Sequence, residues 1–143
     1  MVCLGNICRS PLAQGVAEHY AKENGLDWII DSAGTSSWHV GEKPDPRSIR
    51  LAIEKGIDIS SQRSRQISAT DLDEFDLVLA MDSSNYGDIA SLAVTEEQKE
   101  KIKLILNYLH PDKNMAVPDP YYDGNFEGVY NLLKQAVECI PNE

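Results

Sequence analysis

Cys3 and Arg9 bracket most of the run Cys3-Leu4-Gly5-Asn6-Ile7-Cys8-Arg9-Ser10, which is followed by Pro11. A thiol and a guanidinium at this spacing suit nucleophilic chemistry on an anion. Gly5 and Asn6 tolerate positive φ, so successive backbone N–H groups can turn inward as an anion-binding nest. Arg9 adds a planar fork able to grip two phosphate oxygens. The same positive surroundings favour the thiolate of a cysteine at the base of the loop. A thiolate beneath a bound phosphate is placed to attack phosphorus. Alone, Cys-x5-Arg is a weak outline, since Cys3 and Cys8 would also serve as small buried residues and Arg9 as a surface charge.

Such a site wants a carboxylic acid nearby. Asp45 and Asp119 each sit in a Pro-Asp-Pro setting, and spacing does not choose between them. Asp45 precedes a helical pattern, where an N-cap role suffices. Asp119 precedes Tyr121 and Tyr122, although Asp-Pro is also an ordinary turn former. Asp82 is open to pairing with Arg9 or bracing the loop, and equally to capping a helix. Trp38, Tyr121 and Tyr122 are aromatic residues that stand apart from the helical patterns. Cys139, among apolar neighbours, reads as core. His19, His39 and His110 are scattered and no Cys-x2-Cys pair exists, so no metal site or other cofactor is expected. His19 reads as a surface residue, and Asp71, Asp73, Glu74 and Asp76 as a solvated acidic cluster.

The elements that must hold these residues alternate short apolar runs with helical patterns, which predicts an α/β domain over 1–143 with a parallel sheet. The cysteine loop then lies between a strand's C-terminal end and a helix N-terminus, where α/β folds bind ligands and the helix dipole favours an anion. Ser10-Pro11 reads as a helix start, with Ser10 as N-cap. Leu12, Val16 and Tyr20 fall on one face and Gly25 closes the helix. Trp28-Ile29-Ile30 reads as a buried strand. Asp45-Pro46 opens a second helix that runs through Ile49 and Ile53 to Gly56. Leu77 to Ala80 and Ile102 to Leu106 read as further strands, with a short helix from Ser83 or Ser84 to about Ser91 between them. Asn107 to Gly124 reads as a long loop. Phe126 to Ile140 reads as the last helix, with Val129, Leu132, Leu133, Ala136, Val137 and Ile140 on one face. Only Met1 and Val2 remain for a strand ahead of Cys3, very short against the usual five or six residues. The expectation is a truncated first strand, so that apolar residues added before Met1 raise the melting temperature.

Composition narrows the partners. The 143 residues are 42% hydrophobic and 25% charged, the profile of a globular chain. Thirteen Lys and Arg against 23 Asp and Glu leave a net charge of −10, unfavourable for nucleic acid or an anionic membrane. An anionic substrate must therefore be attracted by a local device. No apolar run approaches the ~18 residues of a membrane span, so no membrane insertion is expected. MVCLGNICRS lacks a basic-then-apolar export pattern, and three cysteines are too few for a disulfide scaffold, so a reducing cytoplasm is expected.

The segment VCLGNICRSP resembles the signature of the low-molecular-weight protein tyrosine phosphatases. The resemblance continues through Asp31-Ser32-Ala33-Gly34-Thr35, Trp38-His39-Val40-Gly41, Pro44-Asp45-Pro46-Arg47, Arg65-Gln66, Met81-Asp82-Ser83-Ser84-Asn85 and Asp119-Pro120-Tyr121-Tyr122. It implies the fold named after phosphotyrosine phosphatase I, a three-layer sandwich whose four-stranded parallel sheet is flanked by helices. It also implies a metal-independent phosphatase that acts through a cysteinyl-phosphate on tyrosine-phosphorylated proteins. Cys3 is then the nucleophile, Arg9 the phosphate clamp and Asp119 the general acid and base. Leu4, Gly5, Asn6, Ile7, Cys8 and Ser10 form the oxyanion loop, Ser10 also donates to the thiolate, and Ser32 supports Asn6. Trp38, Tyr121 and Tyr122 line the cleft. Gln62 departs from the family's usual His, so the hydrogen bonds behind the loop are expected to differ. Cys8 is either a redox partner of Cys3 or a packed thiol.

Three rivals stand beside this reading. An arsenate reductase on the same scaffold would relay electrons through further cysteines, and only Cys139 follows the loop. A phosphoarginine phosphatase would carry Thr where Ile7 stands. A catalytically silent phosphoprotein-binding module would not need Cys3, Arg9 and Asp119 intact.

Overall fold

A computed structural model describes residues 1–142. Four parallel strands form one sheet in the order β2-β1-β3-β4: β1 (Val2–Cys3), β2 (Ala33–Gly34), β3 (Val78–Ala80) and β4 (Ile102–Leu104). Register pairs Val2 with Ala33 on one side and with Ala80 on the other, so β1 is central although two residues long. Side chains alternate across the sheet. Cys3 and Leu79 face a core shared with α1 (Arg9–Glu23), α2 (Pro46–Glu54) and α7 (Phe126–Glu138), where Leu12, Ile59, Met81 and Leu133 are buried. Val2, Val78 and Ala80 face a second core with Leu72 of α3 (Asp71–Glu74) and Ile89 of α4 (Ser83–Ala90). α5 (Glu96–Glu100) lies beside β4, and a 3-10 turn, Ile105–Asn107, follows β4. The result is the expected helix–sheet–helix sandwich.

The cap logic holds for α2: the Asp45 carboxylate accepts from Arg47 N–H, Pro46 stands at the first helical position, and Gly56 follows the helix with φ +81°. Asp82 likewise caps α4, accepting from Asn85 N–H at 2.8 Å. It fails for α1. That helix starts at Arg9, its N-cap is Cys8, and no side chain caps it. The Ser10 hydroxyl is spent on Cys3 and Asn6 instead.

Trp28-Ile29-Ile30 belongs to no strand and is unpaired. Trp28 packs against Tyr20, with ring centroids 5.8 Å apart, while Ile29 is 89% exposed. The reason is the brevity of β1, which leaves this stretch no neighbour, so β2 begins only at Ala33. Among the described residues, the N–H groups of Trp28, Ile29 and Ile30 have no hydrogen-bond partner. Between this stretch and Asp76–Leu77 lies a groove of about 650 Å³.

Other expectations shift in detail. The fourth strand stops at Leu104 because Ile105 and Leu106 turn into the 3-10 segment. The long loop contains α6 (Pro120–Asp123), capped by Asp119 and closed by Gly124 at φ +73°. Asp71 is buried rather than solvated, because Arg65 Nη1 meets its carboxylate at 2.9 Å. Cys139 is exposed rather than core: it follows the last turn of α7 on the solvent side, while Ala136, Val137 and Ile140 turn inward.

Candidate active site

The loop from β1 to α1 turns on Asn6, whose φ of +57° is the left-handed region that Asn tolerates among non-glycine residues. Its side chain is fully used: Nδ2 donates to Ser10 Oγ at 2.8 Å and Ser32 Oγ at 2.9 Å, and Oδ1 accepts from Arg65 N–H at 3.1 Å. Ser32 passes a hydrogen bond on to Gln14 at 2.7 Å. From behind, Ser36 Oγ donates to Leu4 O and Ser64 Oγ to Gly5 O, each at 3.0 Å. Asp45 N–H donates to Ile7 O at 2.8 Å and Ser48 Oγ to Cys8 O at 3.3 Å. The loop's carbonyls are therefore held outward. Its remaining N–H groups are not: among the described residues those of Leu4, Gly5, Ile7 and Cys8 have no protein partner. Backbone donors with no internal partner, gathered at a helix N-terminus, form a ready anion cradle.

Cys3 Sγ sits at the base of that cradle. It lies 3.0 Å from Ser10 Oγ and accepts from Asn6 N–H at 3.3 Å. Arg9 is 4% exposed, and its Nη1 donates to Asp82 Oδ2 at 2.9 Å and Val117 O at 3.0 Å. Asp82 thus pairs with Arg9 as well as capping α4. Arg9 Nη2 stands 3.8 Å from Asp119 Oδ2, bringing that carboxylate to the cleft from the far end of the sequence. Asp119 Oδ1 accepts from Tyr121 N–H at 3.0 Å, fixing the carboxyl at the head of α6.

Cys3, Leu4, Gly5, Ile7, Cys8 and Arg9 line a cleft of about 200 Å³ together with Trp38, His39, Asp119, Tyr121 and Tyr122. Asn6 and Ser10 lie behind it, fully enclosed. Trp38 and Tyr122 are 72% and 82% exposed, so these rings form the mouth of the cleft rather than its floor. Tyr121 and Tyr122 meet edge to face, 5.3 Å between centroids. Burial pushes the Cys8 thiol up to about 12, with the Asp45 and Asp119 charges adding to the effect. Cys8 is buried and shares the cleft with Cys3.

His39 is a cleft residue that the sequence reading passed over. Its Nδ1 meets Glu42 Oε2 at 2.7 Å and its ring presses on Gly5. Adjacency to Trp38 was the available signal. The carbonyl of Val117 was also passed over, and a backbone acceptor leaves no mark in a sequence. Gln62, expected to alter the hydrogen bonds behind the loop, donates from Nε2 to Pro11 O at 3.1 Å; its Oε1 is buried without a partner among the described residues. Asp45 turns its carboxylate to the start of α2 rather than into the cleft.

A family model described as low molecular weight phosphotyrosine protein phosphatase matches residues 1–142. The low molecular weight protein-tyrosine-phosphatase YfkJ of Bacillus subtilis is 42% identical over 141 residues, covering 97% of this chain and 90% of that one. The crystal structure of YfkJ superposes with a TM-score of 0.88 at 41% identity, covering 96% and 87% of the two chains. The low molecular weight phosphotyrosine protein phosphatase of Sus scrofa is 39% identical over 143 residues, 96% of this chain and 87% of that one. The crystal structure of a Drosophila arginine phosphatase gives a TM-score of 0.88 at 34% identity, covering 96% and 91%.

Proposed function

The chain belongs to the low molecular weight phosphotyrosine protein phosphatase family, a family of hydrolases, and on that premise we propose that it hydrolyses phosphotyrosine in proteins through a cysteinyl-phosphate. The observation that carries the proposal is the set of unpartnered loop N–H groups around Cys3 Sγ, with Arg9 and Asp119 at the same cleft. The phosphate's oxygens sit in that cradle and against the free part of the Arg9 fork. Cys3 sulfur attacks phosphorus in line with the ester oxygen. The S–P bond forms as the P–O bond breaks, and the leaving phenolate takes the proton of the Asp119 carboxyl. Water then attacks the thiophosphate, gives its proton to Asp119, and releases inorganic phosphate and the Cys3 thiolate. The Ser10 hydroxyl and Asn6 N–H, both on Cys3 Sγ, stabilise the sulfur's charge before attack and as it leaves.

Apolar Ile7 and the aromatic mouth favour an aryl ester over phosphoarginine. An arsenate reductase relay lacks a third thiol at the cleft: Cys139 lies at the end of α7. A silent binding module would have no use for the Arg9–Asp119 proximity. A cytoplasmic setting belongs to the same proposal, because a nucleophilic thiol works in a reducing compartment. No helix among the described residues is long and apolar enough to cross a membrane.

The test is phosphate release from a phosphotyrosine peptide beside phosphoserine and phosphoarginine peptides, with EDTA present and Cys3→Ser as blank. Release from phosphotyrosine that needs Cys3 and ignores EDTA is expected. Preferential release from phosphoarginine, or release by Cys3→Ser, would overturn the reading. Asp119→Asn should slow aryl phosphates by ~10²–10⁴-fold when the leaving group is as basic as tyrosine, and far less when it is acidic.

A further inference from the structure

Arg47 is not among the residues that line the cleft, yet it joins the two segments that meet across the site. Its guanidinium forks onto Asp45, with Nε to Oδ1 and Nη2 to Oδ2 both at 3.1 Å. Asp45 is only 10% exposed, and its own N–H supports the Ile7 carbonyl of the phosphate loop. On its other side, Arg47 Nη2 donates to Tyr121 O at 3.3 Å. The same guanidinium lies 5.5 Å from the Tyr121 ring centroid and 4.8 Å from that of Phe126, the first residue of α7. Tyr121 is the residue whose N–H fixes the Asp119 carboxylate. One side chain thus ties the support of the phosphate loop to the residue that orients the acid.

An ion pair whose guanidinium is still solvated, as that of Arg47 is, adds modest stability. A bidentate fork that also stacks on two rings constrains geometry far more than it stabilises. A misplacement of about 1 Å near reacting atoms costs up to ~10²-fold in rate. We infer that Arg47 is a positioning residue for Asp119: locked by Asp45 and gripping the carbonyl and ring of Tyr121, it sets where the carboxyl stands over the Cys3 sulfur. The inference rests on the reading of Asp119 as general acid. It assigns to the Pro44-Asp45-Pro46-Arg47 motif a task beyond capping α2.

The experiment measures kcat and KM of Arg47→Gln and Arg47→Lys on aryl phosphates spanning leaving-group pKa from about 7 to about 10, the latter near that of tyrosine. Vanadate inhibition reports the phosphate loop, and Arg50→Gln, an exposed position on the same helix, controls for lost charge. Expected for Arg47→Gln is a loss of about 10-fold or more in kcat for basic leaving groups, little loss for acidic ones, and unchanged vanadate inhibition. Arg47→Lys keeps charge without the fork and is expected to recover only part. Placed on Asp119→Asn, Arg47→Gln should add almost nothing, because the group it positions is gone. Equal slowing across leaving groups, or full additivity with Asp119→Asn, would overturn the inference. If Asp119→Asn itself shows no leaving-group dependence, the acid assignment fails instead. A thermal melt of each variant separates loss of fold from loss of positioning.

Discussion

Asp71 shows how a single charge is priced by its surroundings. Burial works against its ionised form, but hydrogen bonds from Arg65 and from the Ser68 N–H outweigh that and hold its pKa below the usual carboxylate range. A depressed folded pKa contributes stability that is complete above the unfolded value, ~3.9. That stability drains away as pH falls through the folded pKa. Asp71→Asn should therefore melt lower than the parent near pH 7, and the gap should close below about pH 4, as read by melting curves across pH. A gap that does not narrow at all as pH falls from about 7 to the acid limit of the folded state would assign the loss to packing instead. Arg65 also presents the backbone N–H that holds Asn6, so this pair braces the loop from outside. At this scale the sequence was informative about reactive types and poor on partners. Cys3, Arg9, Asn6 and Ser10 were legible because each belongs to one continuous run. Asp71 was misjudged because its neighbours in sequence are exposed acids, whereas Arg65 folds over it.

At the scale of elements, the close approach of β2 to the loop is decisive. A Cβ built on Gly34 would stand 2.8 Å from Leu4 O, 3.1 Å from the Gly5 carbonyl carbon and 3.2 Å from Asn6 Cβ. Two of these atoms are backbone, pinned by Ser36 and Ser64, and have little room to give. Gly34→Ala should cost about 1–3 kcal/mol through overpacking and weaken vanadate inhibition more than it lowers the melting temperature would suggest. Unchanged inhibition would mean the loop adapts. Helices were the more legible elements, because α2 and α7 carry period-3.6 apolar faces and α2 has a capping Asp. The strands were less so. Trp28-Ile29-Ile30 has the residue types of a strand, and its failure to pair lies in β1, about 27 positions away in the sequence, an influence no local pattern records. The Ser10 misassignment has the same origin: its hydroxyl had a better partner in space than the helix end beside it.

For the whole molecule, the net charge of −10 sets the field that a phosphoprotein meets before any contact. Within the cleft the nearby cation is Arg9, and Asp82 and Asp119 stand beside it. Long-range repulsion should then oppose encounter. Raising ionic strength from about 0.01 to 0.15 M shortens the Debye length from ~30 to ~8 Å. kcat/KM for a phosphotyrosine peptide with acidic flanks should rise over that range, and a peptide with neutral flanks should change less. A fall would mean that the loop's local attraction outweighs the global field.

The groove beside Trp28–Asp31 has a consequence for colloidal behaviour. A sheet ordinarily offers chains in solution only its two outer edges, but the groove adds the unpartnered N–H groups of Trp28, Ile29 and Ile30. Asp27, Glu74 and Asp76 stand among the residues that line it. At neutral pH these carboxylates, with the molecule's overall negative charge, act as gatekeepers that repel another extended chain. Near the isoelectric point of about 4.7 that repulsion fades while the groove remains. Association between copies is therefore expected to rise near that pH, as light scattering across pH would read.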